Sequence, residues 1–391
     1  MGRPMGTSSF TLQTIRDLRE VEVLREHWKS WQTTRDSDLD FFRGIVRSRG
    51  DSCRPHVLVL SRDGRPDALL AGLRYRTKIP VKLGSLIVHH SQVNILEFVY
   101  GGLLGNASRE NCEAFVRGVL QSMADGEADM ALWPRLDVSS VLYDCALRLP
   151  NPARRDPSPP LYDHWFMDFP KSLDAFLASL ERPQRSKLRR KYNRVLNSFP
   201  GKVQVRCFQT HGDLEQAISD MERIAVNSVK RRLGYGFFDS QLTREQMLVE
   251  AERGWLRIYI LYIDDKPVSF WKGTLYERCL RSEHVGFDAA WSAFSPGIFL
   301  FLYILESLRD EGLTTVDLGY GNGQLYECFG TVRRTEARVQ IYAAKVGALH
   351  VKFLQTAAQY TTRLIRRAPF LTWARRAVWK RRQAKARRAR Q

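Results

Sequence analysis

A helix start, a strand-end carboxylate and a run of cations are the groups in this chain whose types and spacing suit chemistry. Ser295-Pro296-Gly297 opens an apolar run, Ile298–Leu305, that stops before Glu311-Gly312. Ser suits the N-cap, Pro the first helical position and Gly312 the C′ position. A helix start of this kind presents unpaired N–H groups and the positive end of the helix dipole, a site for an anion such as a diphosphate. The donors would come from Ser295, Gly297, Ile298 and Phe299; the plainer reading is a capped core helix. Asp317 lies in a short strand before the Gly-rich loop Gly319–Gly323. A carboxylate there either takes a proton from an attacking amine or hydroxyl or caps the Gly319 amide. Arg182–Arg194 carries seven Lys/Arg, Arg189 and Arg190 among them, with only Glu181 beside them. They form either a solvated face or a surface for an anionic ligand, which Lys230-Arg231-Arg232 would reinforce.

These groups need a scaffold, and the flanking sequence supplies one. Arg257–Ile263 is a β-branched and aromatic run with the composition of a half-buried strand. Asp264–Pro267 is a turn, Val268–Tyr276 the returning strand and Cys279–Phe287 a third strand. The helix and a last strand around Val316-Asp317-Leu318 follow. A similar outline occurs near residue 60. His56–Ser61 is a strand, Arg62–Pro66 a turn with the Asp-Gly hairpin signal, and Ala68–Tyr75 the return. Extended stretches at Pro80–Val88 and Ile95–Val99 come next, with turns at Gly101-Gly102 and Gly105-Asn106. A helix over Cys112–Met123 and a strand over Met130–Trp133 complete the set, while residues 10–50 read as mainly helical. The stretch from Pro150 to Pro160 holds five of the sixteen prolines and reads as a linker. The expected fold is α/β (α+β). Two mixed-sheet units stand in tandem at 1–160 and 161–349, followed by a basic amphipathic helical tail at 350–391.

Composition narrows the function classes. The 391 residues are 44% apolar and 11% aromatic, as in a folded globular protein. Six scattered cysteines without a C-x-x-C pair read as reduced core thiols, and His89-His90 has no further ligand at metal spacing, so no metal is expected. No G-x-S-x-G, Walker A or H-E-x-x-H motif occurs. Met1–Trp28 lacks the apolar core of a signal peptide, and Ile298–Leu305 is too short to span a bilayer. Most of the net charge of +19 comes from Ala337–Gln391, which has 15 Lys/Arg and no Asp or Glu. There Phe353, Leu354, Leu364, Ile365, Phe370, Leu371, Trp373, Val378 and Trp379 alternate with cations. That pattern suits a helix on an anionic membrane surface, contact with RNA, or a solubilising end.

The order of these motifs resembles one family. Arg185–Leu196, Asp265-Lys-Pro-Val268, Gly286-Phe-Asp288, Ser295-Pro-Gly297 and Asp317–Tyr326 make the second unit similar to a GNAT-superfamily acyltransferase domain. The branch is the BioF2-like one (CelD-type, Acetyltransf_6), with the tandem architecture of Fem peptidyltransferases. The resemblance covers about residues 170–345 and, more faintly, 50–150. It implies acetyl-CoA or another acyl-CoA as co-substrate, with its pyrophosphate at Ser295, Gly297, Ile298 and Phe299, and its 3′-phosphate or a phosphorylated acceptor near Arg189 and Arg190. It further implies Asp317, Glu283 or His284 as base and Tyr326 as proton donor to the leaving thiolate. The expected acceptor is an amino sugar or a glycan- or lipid-linked envelope or polysaccharide precursor, handled in the cytoplasm or on the inner membrane face. The alternatives are an aminoacyl-tRNA-dependent Fem-like transferase and a non-catalytic accessory protein of envelope polysaccharide synthesis.

Overall fold

The computed structural model describes residues 10–83, 86–232, 234, 236–321 and 329–367. It has two compact units. One holds the described residues of 1–31, 49–160 and 337–391, the other 32–48 and 161–336. Pro160 ends one segment and Leu161 begins the next, where the linker was expected. By this division 32–48 falls with the second unit and the described residues from Ala337 with the first.

The first unit is a mixed sheet in the order β1-β2-β3-β4-β5. Its strands are β1 (Phe10–Ile15), β2 (Cys53–Arg62), β3 (Arg65–Leu83), β4 (Leu86–Gly105) and β5 (Met130–Asp137). The β2–β3 turn places Asp63 and Gly64 at positive φ, the geometry that matches strand twist in a two-residue hairpin. Pairs up to β3–β4 are antiparallel, whereas β4 and β5 run parallel at Ile95–Glu97 and Met130–Leu132. A helix, Arg109–Ala124, makes the crossover. Two expectations fail here. Residues 10–15 are a strand rather than helix, and Gly101-Gly102 lies inside β4 rather than in a turn.

The second unit repeats the plan. β6 (Leu161–Asp168), β7 (Val203–Phe208), β8 (Leu256–Ile263), β9 (Lys266–Tyr276), β10 (Cys279–Phe287) and β11 (Thr315–Tyr320) take the order β6-β11-β10-β9-β8-β7. The β8–β9 turn again has two residues at positive φ, Asp264 and Asp265. β7 to β10 pair antiparallel, and β10–β11 run parallel with the central helix Pro296–Ser307 as crossover. Glu336 stands on β12 (Val332–Tyr342). β8 is buried on both faces, not half-buried. Tyr259, Leu261 and Ile263 meet the central helix, while Ile258, Ile260 and Tyr262 meet the helix Leu214–Val226, as the two-residue period of a strand requires. The central helix ends at Ser307, so Gly312, at positive φ, serves a later turn instead of the C′ position. Among the described cysteines Cys53, Cys112 and Cys145 are buried, but Cys207 is exposed and Cys279 half-exposed.

Candidate active site

The parallel pair β10–β11 is short. It is in register only from Cys279–Arg281 to Thr315–Asp317. Beyond that point β10 stays with β9 and β11 stays with β6. The two strands part, and a cavity of about 370 Å³ lies beside the opening. Ser282 and Val285 of β10, Leu318 of β11, and Gly297, Ile298 and Phe301 of the central helix line it, with Ser295 and Lys230 at its polar part. Trp271 and Phe287 extend the apolar wall.

The first unit has the same wedge with a different filling. Its parallel register ends at Glu97 and Leu132, so the next residues, Phe98 and Trp133, correspond to Ser282 and Leu318. Phe98 and Trp133 are buried and stacked, with ring centroids 4.5 Å apart and planes 19° apart. Two rings close the first wedge; a serine and a leucine leave the second open.

The helix start departs from expectation. Pro296 is the first helical residue, but Ser295 is left-handed, with φ 53° and ψ 50°, and its side chain caps nothing. Its carbonyl instead accepts from the N–H groups of Ile298, at 3.0 Å, and Phe299, at 3.3 Å. Those two amides are therefore already engaged, and Phe299 points its ring onto Tyr192, 4.8 Å away, rather than into the cavity. Gly297 keeps its N–H without a protein partner among the described residues, and a Cβ there would come no closer than 3.8 Å to any neighbour, Phe287. The Ser295 N–H is likewise spent on the Ser292 carbonyl, at 3.2 Å, so the helix start offers one fully open donor on the cavity wall and not the expected four.

Asp317 and Glu283 are not free bases. Asp317 Oδ1 lies 2.6 Å from His164 Nε2 and accepts from the Gly319 N–H at 2.8 Å; Oδ2 lies 3.7 Å from Arg281 Nε. His164 Nδ1 faces Glu336 Oε1 at 2.9 Å, and the Tyr320 hydroxyl donates to the other Glu336 oxygen at 2.7 Å. Glu283 pairs with Lys272 and with Arg35 at 2.5 Å, and accepts from Thr274 at 3.2 Å. Burial alone would raise its pKa, but Arg35, Lys272 and Arg281 outweigh that and hold it at about 2. Arg35 and Lys272 also pair with buried Glu250, and Arg281 with Asp36. These residues form one ionic network through the sheet. Arg35 and Asp36 come from the 32–48 segment, far away in sequence, and nothing local marked them.

His284 stands apart from the network. Burial draws its pKa below the ordinary histidine value, and Lys272, Lys230 and Arg35 act in the same direction against Glu283. The ring is neutral at pH 7, sits edge-on to Phe237 at 5.7 Å, and has no hydrogen-bond partner among the described residues. Strict alternation would put only one of Glu283 and His284 toward the cavity. A bulge between Ser282 and His284 breaks the alternation, so that Ser282 and Val285 line the wall and neither of the two between them does.

The remaining residues divide as follows. Tyr326 lies outside the described residues. Arg189 and Arg190 lie on the basic helix Arg182–Ser198 and do not line the cavity; Arg189 pairs with Asp174 at 3.3 Å. Two other cations of the runs singled out in sequence lie nearer the site. Lys230 donates to the Val285 carbonyl at 3.1 Å on the cavity wall, and Arg194 to the Ala293 carbonyl at 2.9 Å beside the helix start. Among the described residues no group of three His, Cys, Asp or Glu is placed to hold a metal ion.

Residues 182–326 match the Acetyltransf_6 family, an acetyltransferase (GNAT) domain. A search of the curated proteins finds no match. Among solved structures the chain is similar to FemX, with 10% identity and a TM-score of 0.55 over 88% of this chain and 100% of that one. It is similar to a tandem GNAT protein from the clavulanic acid biosynthesis pathway, with 10% identity and a TM-score of 0.50 over 86% of this chain and 99% of that one. A conserved protein of unknown function from Bacteroides thetaiotaomicron VPI-5482 has 13% identity and a TM-score of 0.50 over 85% of this chain and 100% of that one. At these identities the likeness is one of fold, and the fold is a tandem GNAT arrangement.

Proposed function

We propose that the GNAT domain carried by residues 182–326 transfers an acyl group from acetyl-CoA or another acyl-CoA to an amine or hydroxyl of an amino sugar or an envelope or polysaccharide precursor. The observation that carries this reading is the wedge between β10 and β11, open in the second unit and filled by aromatic rings in the first. The residues present fit the co-substrate. An extended amide-bearing arm can pair with the edge that β10 frees beyond Arg281. A diphosphate can approach the open Gly297 N–H at the positive end of the central helix, where no side chain intervenes. Lys230 and Arg194 add positive charge close by.

The chemistry is direct transfer. The acceptor nitrogen or oxygen attacks the thioester carbonyl carbon, the C–S bond breaks, and the thiolate leaves and takes up a proton. Strand amides at the wedge polarise the carbonyl as charge develops on its oxygen. With Glu283 and Asp317 ion-paired, we assign the acceptor's proton to His284; because this ring does not line the acyl-CoA cavity, the acceptor would have to reach it from the other side of β10, where Lys230 lies close by. Its depressed pKa sets the pH dependence: kcat/KM should hold across neutral pH and fall only as pH drops below the ordinary histidine range, near 6.5, when the base protonates. In His284→Gln this acid limb should disappear along with at least about 100-fold of the rate, the usual size of general-base catalysis. An unchanged pH profile in the variant would remove His284 from this role.

Calorimetry with acetyl-CoA tests the reading itself. The expected result is saturable binding, weakened about tenfold or more in Gly297→Asp, whose carboxylate would face the diphosphate. Absence of binding by acetyl-CoA and longer acyl-CoAs would refute it. Transfer supported by aminoacyl-tRNA instead would replace it with the Fem-like alternative. The exposed cations of the basic helix would then be expected to give the steep salt dependence of phosphate contacts.

A further inference from the structure

The C-terminal helix Val346–Arg367 packs on the first unit by one face. Ala348 and Val351 are buried in that unit's core with Ile341 and Tyr342, and Ala358 is buried one turn-pair further on. The Tyr342 hydroxyl donates to Gln355 Oε1, and Lys352 Nζ to the Ala153 carbonyl, both at 2.5 Å. These contacts fix the rotation of the helix. Positions 348, 351, 355 and 358 face the sheet, and at roughly 100° per residue positions 346, 349, 353, 357 and 360 face the opposite way.

That outer face is apolar. It carries Val346, Leu349, Phe353 and Tyr360, which are 88%, 38%, 67% and 58% exposed, together with Ala357. A helix on the surface of a soluble fold needs one apolar stripe; this one has two, on opposite sides. The chain around it has a single sign of charge. From Ala337 to Gln391 there are 15 Lys/Arg and no Asp or Glu, with Lys345 just before the helix and Arg363, Arg366 and Arg367 in its last turns. The sequence beyond the helix keeps the pattern, with Phe370, Leu371, Trp373, Val378 and Trp379 among further cations.

The two properties together select the occupant. A nucleic acid would use the cations but leave Val346, Leu349 and Phe353 without a role. A second copy would bury the stripe but bring like charges together. An anionic lipid surface takes both, with apolar side chains entering the boundary of headgroups and acyl chains and cations lying at the phosphates. Among the described residues no helix is long and apolar enough to cross a membrane, so this one would lie on the surface. We propose that the helix Val346–Arg367 docks the protein onto an anionic bilayer surface through Val346, Leu349, Phe353 and Tyr360.

The full chain should co-sediment with vesicles of phosphatidylcholine and phosphatidylglycerol about tenfold more strongly than with phosphatidylcholine alone, and less strongly as salt rises. The triple variant Leu349→Ser/Phe353→Ser/Tyr360→Ser leaves Ala348 and Val351 in place. It should keep its melting temperature and lose binding by about tenfold or more. As a direct reading, the single variant Phe353→Trp should show a blue-shifted indole emission on the anionic vesicles. Equal binding by wild type and triple variant would overturn the proposal. So would an unshifted indole, a dimer in sedimentation velocity that the triple variant dissociates, or preference for RNA over the vesicles at matched salt.

Discussion

Ser282→Trp is expected to weaken acyl-CoA binding on the order of 100-fold while leaving the fold intact. Ser282 is the first residue of β10 beyond its parallel register with β11, and it lines the cavity. Its counterpart in the first unit is Phe98, stacked on Trp133 in a wedge of the same topology. The chain thus shows by its own example that an aromatic ring at this position can be accommodated and closes the space. The indole in the second unit would meet Leu318 where Phe98 meets Trp133. Calorimetry should show affinity for acetyl-CoA reduced on the order of 100-fold, equivalent to about 3 kcal/mol. The melting temperature should stay within a few degrees of wild type, since the ring fills a cavity instead of displacing packed atoms. If Ser282→Trp bound acetyl-CoA as wild type does, the wedge would not be the acyl-CoA site. If it failed to fold, Ser282→Phe offers a smaller ring for the same question.

The tandem plan was legible in sequence because its signals are local. The β2–β3 and β8–β9 turns put Asp63-Gly64 and Asp264-Asp265 where positive φ is needed, and strands of the expected composition flank both. The burial of the central helix was equally readable from its composition. What escaped was anything set by register. A single bulge at Glu283 turned Ser282 and Val285 toward the cavity and the two candidate bases away from it. Ser295 looked like a cap and adopts the left-handed region, which hands its carbonyl, and not its hydroxyl, to the helix start. The correspondence of Phe98 with Ser282, which marks one wedge as closed and the other as open, exists only once both parallel ladders are aligned. Gly101-Gly102 read as a turn because two glycines usually interrupt a strand; they do interrupt the pairing with β3, which skips from Phe98 to Leu103 with Gly101 at positive φ, but β4 resumes beyond them.

Electrostatics was the least legible layer. Nothing in the neighbourhood of Asp317 announces that its partners are His164, some 150 positions earlier, and Arg281. Nor does Glu283 announce Arg35. A carboxylate at a strand end looks like a free base in sequence, but here the fold has surrounded it. The site therefore separates two tasks. Carboxylates hold the sheet together beneath the cavity, and under the proposed mechanism the proton chemistry is left to the neutral His284 ring behind its wall.

Removing His164 should expose how much of the second unit rests on that buried network. The ring is fully buried, with Asp317 on one nitrogen, Glu336 on the other, and Phe166 and Tyr320 packed on its faces with centroids 4.2 Å away. Burial opposes its charge, but the hydrogen bonds to the two carboxylates prevail and its pKa is raised. His164→Leu would leave Asp317 and Glu336 buried without their shared partner, and losing one member of a buried pair costs about 3–5 kcal/mol. The second unit should melt roughly 10 °C lower. The pH dependence follows from the direction of the shift. A histidine whose folded pKa is raised contributes stability that is complete below its unfolded pKa, near 6.5, and is lost as pH rises through the folded value. Wild type should therefore lose stability in the second unit above neutral pH, and His164→Leu should lack that alkaline decline. His56 in the first unit supplies the opposite sign within the same chain: burial lowers its pKa to about 4, so its contribution falls away as pH drops from near 6.5 toward 4. Scanning calorimetry across pH should then show an acid-side loss that survives in His164→Leu and an alkaline-side loss that does not. If the variant melts within a degree or two of wild type at every pH, the ring is a spacer between two carboxylates that solvent already satisfies.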